Sequence, residues 1–384
     1  MLTKGINFIN FKKKHKNLST KKKLVSIISE NNQIIQSLGK YYKYSFKKGE
    51  LKKYKKNLNY RVIGMGGSSL GTKAIYDFLK HKIKKKFQFI DNLNSKYLVG
   101  NKKNYTNLIV SKSGNTIETI VNSNVIIKNK DKNIFITEDR NSYLNSFAKK
   151  LKADVIHHNN FIGGRYSVLS EVGMLPAELM GLNSDKFKRF NYLVKNKNFI
   201  NNLILNVNSI IYFVKKKKFN SIIINYDKKS ESIFQWYQQL VAESLGKKKK
   251  GILPIVSNMP RDNHSVMQLF LDGFENNFFT FFYTKEKKSN KINNNLILKT
   301  QNKLKNKKIS DVSYLQKLAT ENVFRKKNIP FRSFEIKERN EKTLGELFSF
   351  FILETILLAK CLNLNPYDQP AVELIKKETN KLLI

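Results

Sequence analysis

Two segments of the sequence are rich in glycine and in hydroxyl side chains, a combination suited to binding an anionic group. The segment at 64–71 reads GMGGSSLG, and the segment at 111–116 reads SKSGNT. Each lies where a predicted strand gives way to a predicted helix, so glycine lets the backbone approach a ligand and the first helical amides favour an anion. Ser111, Ser113 and Thr116 add hydroxyl donors. These features favour a phosphate group as the ligand.

Each segment alone has a simpler interpretation, because the first is typical of a tight turn and the second of a capped helix. The first segment is not a common nucleotide-binding motif. Ser69 replaces the last glycine of G-x-G-x-x-G, and Lys73 lies one residue too late for a P-loop. Two such segments at the carboxyl ends of strands in one sheet are nevertheless expected to meet at a ligand-binding crevice. Together they predict a phosphate-binding cleft.

The elements around these segments alternate between strands and helices, which predicts parallel βαβ units in an α/β fold of doubly wound sheets. In the first half, strands are predicted at 60–64, 87–90, 107–111, 133–137 and 154–157, and helices at 70–80, 116–128 and 143–151. The pattern restarts after a helical bridge at 187–218. Its strands are predicted at 221–226, 251–256, 278–284 and 331–336, and its helices at 232–245, 265–271, 311–326, 344–361 and 371–383.

This pattern predicts two doubly wound, parallel-sheet domains, at 59–200 and 201–362. A basic, helical amino-terminal segment at 1–58 precedes them. A helical segment at 363–384 follows them and is expected to complete the active site. No exact sequence repeat relates the two domains, so their similarity rests on the pattern of elements.

The composition excludes several classes of protein. The chain has 384 residues, 41% of them hydrophobic, which is enough to form sizeable cores. Cys361 is the only cysteine, which excludes intramolecular disulfides and cysteine-based zinc clusters and favours a reducing, cytoplasmic location. His157 and His158 lack a third donor at ligand spacing, so no metal is assigned. The most apolar stretch, 347–362, contains two charged residues and is shorter than the roughly 20 residues that span a membrane.

The net charge of +43 has two interpretations. A nucleic-acid-binding protein would carry such a charge and would bind tightly, with a steep dependence on salt. Biased base composition is the alternative, because the lysines are scattered in short runs such as 215–218 and 247–250, and Lys, Asn and Ile share A/T-rich codons. We favour the second interpretation and predict no specific nucleic-acid partner and no membrane partner.

Several segments together carry a resemblance to a known family. GMGGSSLG and SKSGNT resemble the sugar-isomerase (SIS) domain, which binds phosphosugars. Four further segments are similar to motifs of the glucose-6-phosphate isomerase family: GGRYSVLSEVGMLP (163–176), QWYQQLVAESLGK (235–247), DNHSVMQL (262–269) and NPYDQPAVELIKK (365–377). They occur in the order of the family and cover the chain from about Tyr60 to its end. The resemblance implies two SIS-type domains.

The resemblance also implies a reaction, the reversible isomerisation of glucose 6-phosphate and fructose 6-phosphate through a cis-enediol, a step of glycolysis and gluconeogenesis. Glu243 matches the base that moves the proton, and Arg165 matches the arginine that faces the developing oxyanion. His264 and Lys376 match the residues that assist ring opening, and the histidine is expected from the neighbouring subunit of a homodimer. The matched substrate-binding residues are Gly67, Ser68, Ser111, Lys112, Ser113, Thr116 and Gln369.

The substrate carries its own carbonyl group, so the resemblance implies no cofactor. Two other functions remain open at this point. A noncatalytic SIS protein that senses a phosphosugar would need the two loops but not the set Glu243, Arg165, His264 and Lys376. An isomerase of broader specificity would also accept mannose 6-phosphate, which differs only at the reacting carbon.

Overall fold

The computed structural model of the protein describes residues 1–12, 17–97, 104–128 and 130–383. Its strands are β1 (Ile6–Ile9), β2 (Asn59–Ile63), β3 (Lys86–Ile90), β4 (Thr106–Val110), β5 (Lys132–Thr137), β6 (Asp154–His157), β7 (Asn220–Asn225), β8 (Leu253–Asn258), β9 (Asn277–Thr284) and β10 (Phe331–Ile336). Its helices are α1 (Leu18–Ser29), α2 (Gln33–Ser37), α3 (Lys52–Lys55), α4 (Leu70–Phe78), α5 (Ile117–Ile126), α6 (Tyr143–Lys150), α7 (Glu171–Leu179), α8 (Phe190–Leu193), α9 (Lys197–Lys215), α10 (Glu231–Leu245), α11 (Met267–Asp272), α12 (Ile309–Lys326), α13 (Glu341–Cys361) and α14 (Pro370–Leu382).

The first sheet is parallel throughout and has the strand order β3-β2-β4-β5-β6. Strand β3 pairs with one edge of β2, and β4, the next strand in the sequence, pairs with the opposite edge of β2. The strand order therefore reverses between β2 and β4, and ligands of open α/β sheets bind at such a reversal. The two glycine- and hydroxyl-rich segments follow β2 and β4 directly, so they lie on either side of this point.

The second sheet has the order β1-β10-β9-β7-β8. Its strands β7, β8, β9 and β10 are parallel, and β7 lies between β8 and β9 as β2 lies between β3 and β4. Both sheets thus share one winding pattern, and the predicted α/β fold of two doubly wound parallel sheets is confirmed. The domain boundaries at 58, 200 and 362 stay predictions.

The amino-terminal segment, which was predicted to be helical, also contains a strand. Helices α1, α2 and α3 are present, but β1 precedes them and pairs antiparallel with β10 at the edge of the second sheet. Ile6 and Phe8 of β1 are buried, whereas Ile9 is exposed, which is the alternation of a strand with one covered face. Four residues are too few to reveal this period, and the partner strand lies more than 300 residues away in the sequence.

Helix α13 lies in the interior. Every residue from Thr343 to Ala359 is buried, including Glu346 and Glu354, whose carboxylates pair with Arg189 and Arg332. It packs against α10, where the rings of Trp236 and Phe348 meet edge to face with centroids 4.9 Å apart. Within the described residues, no helix has the length and apolarity needed to cross a membrane. The apolar stretch near the carboxyl terminus therefore serves the core.

Candidate active site

The loops after β2 and β4 are in direct contact. A β-carbon added to Gly64 would lie 2.7 Å from the carbonyl oxygen of Val110 and 3.0 Å from Cβ of Ser68. Glycine is therefore needed where β2 ends, because any side chain would push the two loops apart. Ser68 and the loop that begins at Ser111 consequently share one end of the cleft.

The second loop brings its hydroxyl groups together at the start of α5. Ser111 Oγ and Thr116 Oγ1 lie 2.8 Å apart, and the amide of Asn115 donates to Ser113 Oγ over 3.3 Å. Gly114 has a φ of +68°, and a β-carbon there would meet the Ser142 hydroxyl at 2.2 Å. This tight fold brings the hydroxyls of Ser111 and Thr116 together beside the amino terminus of α5, where an anion is stabilised.

Two cations flank this loop and share one carboxylate. Lys112 Nζ donates to the carbonyl oxygen of Asn160 over 2.7 Å and lies 3.4 Å from Glu138 Oε1. Arg140 Nε lies 3.2 Å from the other oxygen of Glu138, and its Nη2 donates to the carbonyl of Ser113 over 3.2 Å. Sequence reasoning included Lys112 but not Arg140. The flanking charge favours a dianion at this end of the cleft.

The glycine loop after β2 also reaches the opposite wall of the cleft. A β-carbon on Gly67 would lie 2.2 Å from the carbonyl carbon of Gly164. Gly66 has a φ of +52°, and a β-carbon there would lie 2.7 Å from Nε2 of Gln239 on α10. A side chain at Gly67 would collide with backbone, and the positive φ disfavours one at Gly66, so this loop lies directly against the segment that carries Arg165.

Arg165 lies in the 3₁₀ turn Gly164–Leu169, and its side chain is 1% exposed. Its Nη1 donates to Glu243 Oε2 over 3.0 Å, which makes the ion pair of the site. The indole of Trp236 donates to its backbone carbonyl over 3.0 Å. The other acceptors around its guanidinium are Ser244 Oγ at 2.9 Å, the carbonyls of Pro366 at 2.7 Å and Asp368 at 3.1 Å, and the side-chain oxygen of Gln369. The cation is therefore held in one orientation.

Glu243 lies in the last turn of α10 and is partly accessible, with 24% of its side chain exposed. Its Oε1 accepts from Gln239 Nε2 over 2.9 Å, while Oε2 accepts from Arg165. Gln239 Oε1 is buried and has no hydrogen-bond partner among the described residues. Hydrogen bonds to both oxygens hold the Glu243 carboxylate in place, and the unpartnered Oε1 of Gln239 belongs to a neighbouring side chain. This arrangement suits proton transfer between the carboxylate and a bound ligand.

Gln239 is a site residue that sequence reasoning missed. The signal was present, since residues four positions apart on a helix lie on the same face and Gln239 precedes Glu243 by four. Tyr166 was missed as well, and burial raises the pKa of its hydroxyl. That hydroxyl donates to the carbonyl oxygen of Pro366 over 3.0 Å and lies 2.8 Å from Ser244 Oγ. It supports the same segment that contacts Arg165.

His264 and Lys376 do not belong to this cluster within the described chain. His264 lies at the end of the exposed 3₁₀ turn Arg261–His264, after β8. Lys376 lies on α14, where its side chain is 57% exposed and its Nζ is 2.7 Å from Glu373 Oε1. The partners of Arg165 and Glu243 come from other elements, so the roles of His264 and Lys376 in ring opening stay predictions.

The family of the chain follows from comparison with known proteins. Residues 11–258 match the model of the phosphoglucose isomerase family. A glucose-6-phosphate isomerase from Methanocaldococcus jannaschii is 33% identical over an alignment of 349 residues that covers 85% of this chain and 85% of the relative. One from Mycoplasmopsis pulmonis is 32% identical over 355 residues, covering 84% of this chain and 82% of the relative.

Solved structures show the same fold. A hypothetical protein from Thermus thermophilus matches with a TM-score of 0.82 at 20% identity, over 95% of this chain and 94% of its own. A glucose-6-phosphate isomerase from Chlamydia trachomatis matches with a TM-score of 0.71 at 17% identity, over 95% of this chain and 78% of its own. With the sequence matches, this likeness identifies the chain as a member of the phosphoglucose isomerase family.

Proposed function

We propose that the cleft catalyses the reaction for which its family is named, the reversible isomerisation of glucose 6-phosphate and fructose 6-phosphate. The observation that carries this proposal is the pair of Glu243 and Arg165, 3.0 Å apart, on the wall that faces the glycine loop. An aldose–ketose isomerase needs a base beside a group that stabilises negative charge on oxygen. A protein that only senses a phosphosugar would not need this pair.

The phosphate of the substrate is assigned to the loop at 111–116. Ser111, Ser113 and Thr116 would donate hydroxyl hydrogen bonds, and the free amides at the start of α5 would add backbone donors. Lys112 would supply charge, and Ser68 would close this end from the neighbouring loop. The contact of Gly64 with Val110 supports this assignment, because it brings Ser68 to the same end of the cleft.

The proton transfer is assigned to Glu243. In open-chain glucose 6-phosphate it would remove the proton from C2, and the electrons would pass to the carbonyl oxygen on C1. Arg165 would stabilise that oxygen as the enediolate forms. Return of the proton to C1, with loss of the hydroxyl proton from O2 and its gain by O1, gives fructose 6-phosphate. Gln239 would orient the carboxylate, and Gln369 would hold Arg165 and face the substrate.

Ring opening is assigned to His264 and Lys376, which requires contributions from outside the cluster. His264 is exposed, and the hydrogen bonds of Glu243 are to Arg165 and Gln239, which leaves room for a homodimer in which His264 enters the cleft of the partner. This arrangement is testable by complementation. Coexpression of the His264→Ala and Glu243→Gln variants should restore measurable activity in hybrid dimers, and persistent inactivity of the mixture would contradict the shared site.

The function is tested directly by turnover. Purified protein should convert fructose 6-phosphate to glucose 6-phosphate, detected with a dehydrogenase that oxidises only the product. We expect the reaction to run in the cytoplasm, where glycolysis supplies both sugars. If the protein forms no glucose 6-phosphate above a blank without enzyme, the proposed function is wrong.

A further inference from the structure

The segment at 365–369 supplies several of the groups that orient Arg165. The carbonyl oxygens of Pro366 and Asp368 and the side chain of Gln369 all accept from its guanidinium. This segment is short and lies between α13 and α14. The direction of the cation therefore depends on what holds these residues in place.

Helix α14 does not anchor this segment, because none of the described residues 370–382 is buried. On the other side, Tyr367 packs loosely against Tyr166, with ring centroids 6.1 Å apart, and its hydroxyl lies 3.5 Å from Glu30 Oε2. The Tyr166 hydroxyl also donates to the carbonyl oxygen of Pro366 over 3.0 Å, so that end of the segment has one anchor. None of these tyrosine contacts involves Asp368, whose carbonyl oxygen also accepts from Arg165, so this end needs a further attachment.

Lys247 provides that attachment. Its Nζ lies 2.5 Å from Oδ1 of Asp368 and also donates to the carbonyl oxygen of Asn365. Only 11% of the Lys247 side chain is exposed, whereas 51% of the Asp368 side chain is, so the ammonium is shielded from water and the carboxylate is not. The hydrogen bond from Lys247 is also the main cause that lowers the pKa of Asp368. One ammonium group thus holds both ends of the segment.

Lys247 lies four residues beyond Glu243 and two residues past Leu245, the last residue of α10. We infer that Lys247 is a positioning residue, which ties the segment that orients Arg165 to the helix that carries Glu243. This inference rests on the proposed function. Its consequence is that the base and the stabilising cation stay in register, because a shift of α10 moves both. The phosphate-binding loop at 111–116 is not part of this linkage.

The chain offers matched controls in the same turn. Lys248 and Lys249 are exposed neighbours of Lys247, and both take positive φ angles, 52° and 58°. Replacement of either by methionine removes one charge near the cleft without touching the segment at 365–369. Any general effect of lost positive charge would therefore appear in these variants too.

The test compares Lys247→Met with Lys248→Met and Lys249→Met in the fructose 6-phosphate assay. We expect kcat of Lys247→Met to fall about 10- to 100-fold, because a small misplacement of a catalytic group has effects of this size. Its KM should change less than about threefold, since the phosphate contacts are intact. The control variants should keep the wild-type kcat. A kcat of Lys247→Met equal to that of the controls would overturn the inference.

A second variant guards against a folding defect. Asp368→Asn alters a carboxylate whose side chain is 51% exposed, so the fold should persist, and kcat should fall in the same direction. The kcat of the double variant should be no lower than that of the worse single variant, because both substitutions break the same ion pair between Lys247 and Asp368. Additive losses would overturn the inference. An inactive wild-type protein would instead refute the proposed function, so the two failures are distinguishable.

Discussion

The two sheets offer the same crevice twice, and only one of the crevices is open to a ligand. We call the carboxyl ends of β2 and β4 the first crevice and those of β7 and β9 the second crevice. In the first, the loops present Ser111, Ser113 and Thr116, and the neighbouring Arg140 is 52% exposed. Its loops carry donors, and no carboxylate among the described residues bonds to the three hydroxyls.

The second crevice is filled by its own carboxylate. Asp227, which follows β7, is buried and accepts hydrogen bonds from the amide of Lys229 over 3.3 Å and from the hydroxyl of Thr284 over 2.9 Å. Ser230 Oγ and Arg339 Nη2 donate to it as well. Arg339 follows β10 as Arg140 follows β5, but its side chain is only 6% exposed.

The comparison shows that winding pattern alone does not make a binding site. Both crevices have a helix start, hydroxyl donors and an arginine beyond the next strand. In the second, Asp227 takes the place that an anionic ligand would need, so the donors contribute to stability. In the first, the donors remain available. The first crevice also contains a buried carboxylate, Glu138, but it pairs with Lys112 and Arg140 instead of bonding to the hydroxyls. We therefore expect function to follow from which crevice leaves its hydroxyl donors without a carboxylate partner among the described residues.

The largest predicted effect belongs to the second crevice. Asp227→Asn should lower the free energy of unfolding by about 1.5–3 kcal/mol, because buried Arg339 then keeps only Glu286, at 2.8 Å, as a charged partner within the described chain. KM for fructose 6-phosphate should stay unchanged in the folded fraction. Urea unfolding and steady-state kinetics measure the two quantities. A raised KM with unchanged stability would break the comparison.

The matched change in the first crevice should reverse this pattern. Ser113→Ala should raise KM about 10- to 100-fold with little effect on kcat, since hydrogen bonds to a charged group contribute about 1.5–3 kcal/mol. Thr284→Val is its counterpart in the second crevice and should reduce stability while leaving KM alone. An effect of Ser113→Ala confined to kcat would contradict the phosphate assignment.

The first sheet should also carry an acid-sensitive group. Burial lowers the pKa of His158, which follows β6, to about 4. In the unfolded chain the imidazole takes up a proton below a pH of about 6.5, its ordinary pKa. In the folded chain it does so only near pH 4. The folded state is therefore destabilised relative to the unfolded state as the pH falls from about 6.5 to about 4. We expect a loss of about 2 kcal/mol between pH 7 and pH 5. His158→Gln should flatten this part of the stability curve, and an unchanged slope would refute the assignment.

The smallest predicted effect is stabilisation by inorganic phosphate. At ten times its dissociation constant, phosphate should stabilise the folded protein by about 1.4 kcal/mol, seen as a higher Tm than in chloride of equal ionic strength. Ser113→Ala should lose this shift, and Thr284→Val should keep it. An equal shift in both variants would mean that phosphate binds outside the first crevice.

The sequence predicted nine of the ten described strands to within two residues, because strongly apolar strands alternate with helices of clear period. It also placed the loops after β2 and β4 together, since parallel strands bring their carboxyl ends to one edge. The close approach of Gly64 to Val110 is an example of this arrangement. Strand β1 was missed because its pairing with β10 is remote in the sequence.

The closed state of the second crevice could not be predicted. An aspartate after a strand is equally typical of a ligand-binding residue and of a structural one. Its partners Thr284 and Arg339 lie 57 and 112 residues further along the chain, so only the folded structure shows that Asp227 is satisfied. The linkage from Lys247 to Asp368 was hidden for the same reason. In a chain with 72 lysines and arginines, residue type singles out no individual lysine.

The central claim is that one cleft holds the phosphate at its first crevice and presents Glu243 to the sugar. Its most direct test is Glu243→Gln, which keeps the shape of the side chain and removes the base. We expect kcat to fall about 10²- to 10⁴-fold, the usual contribution of a general base, while the affinity for fructose 6-phosphate measured by calorimetry stays near the wild-type value. Retention of near-normal turnover in this variant would contradict the account.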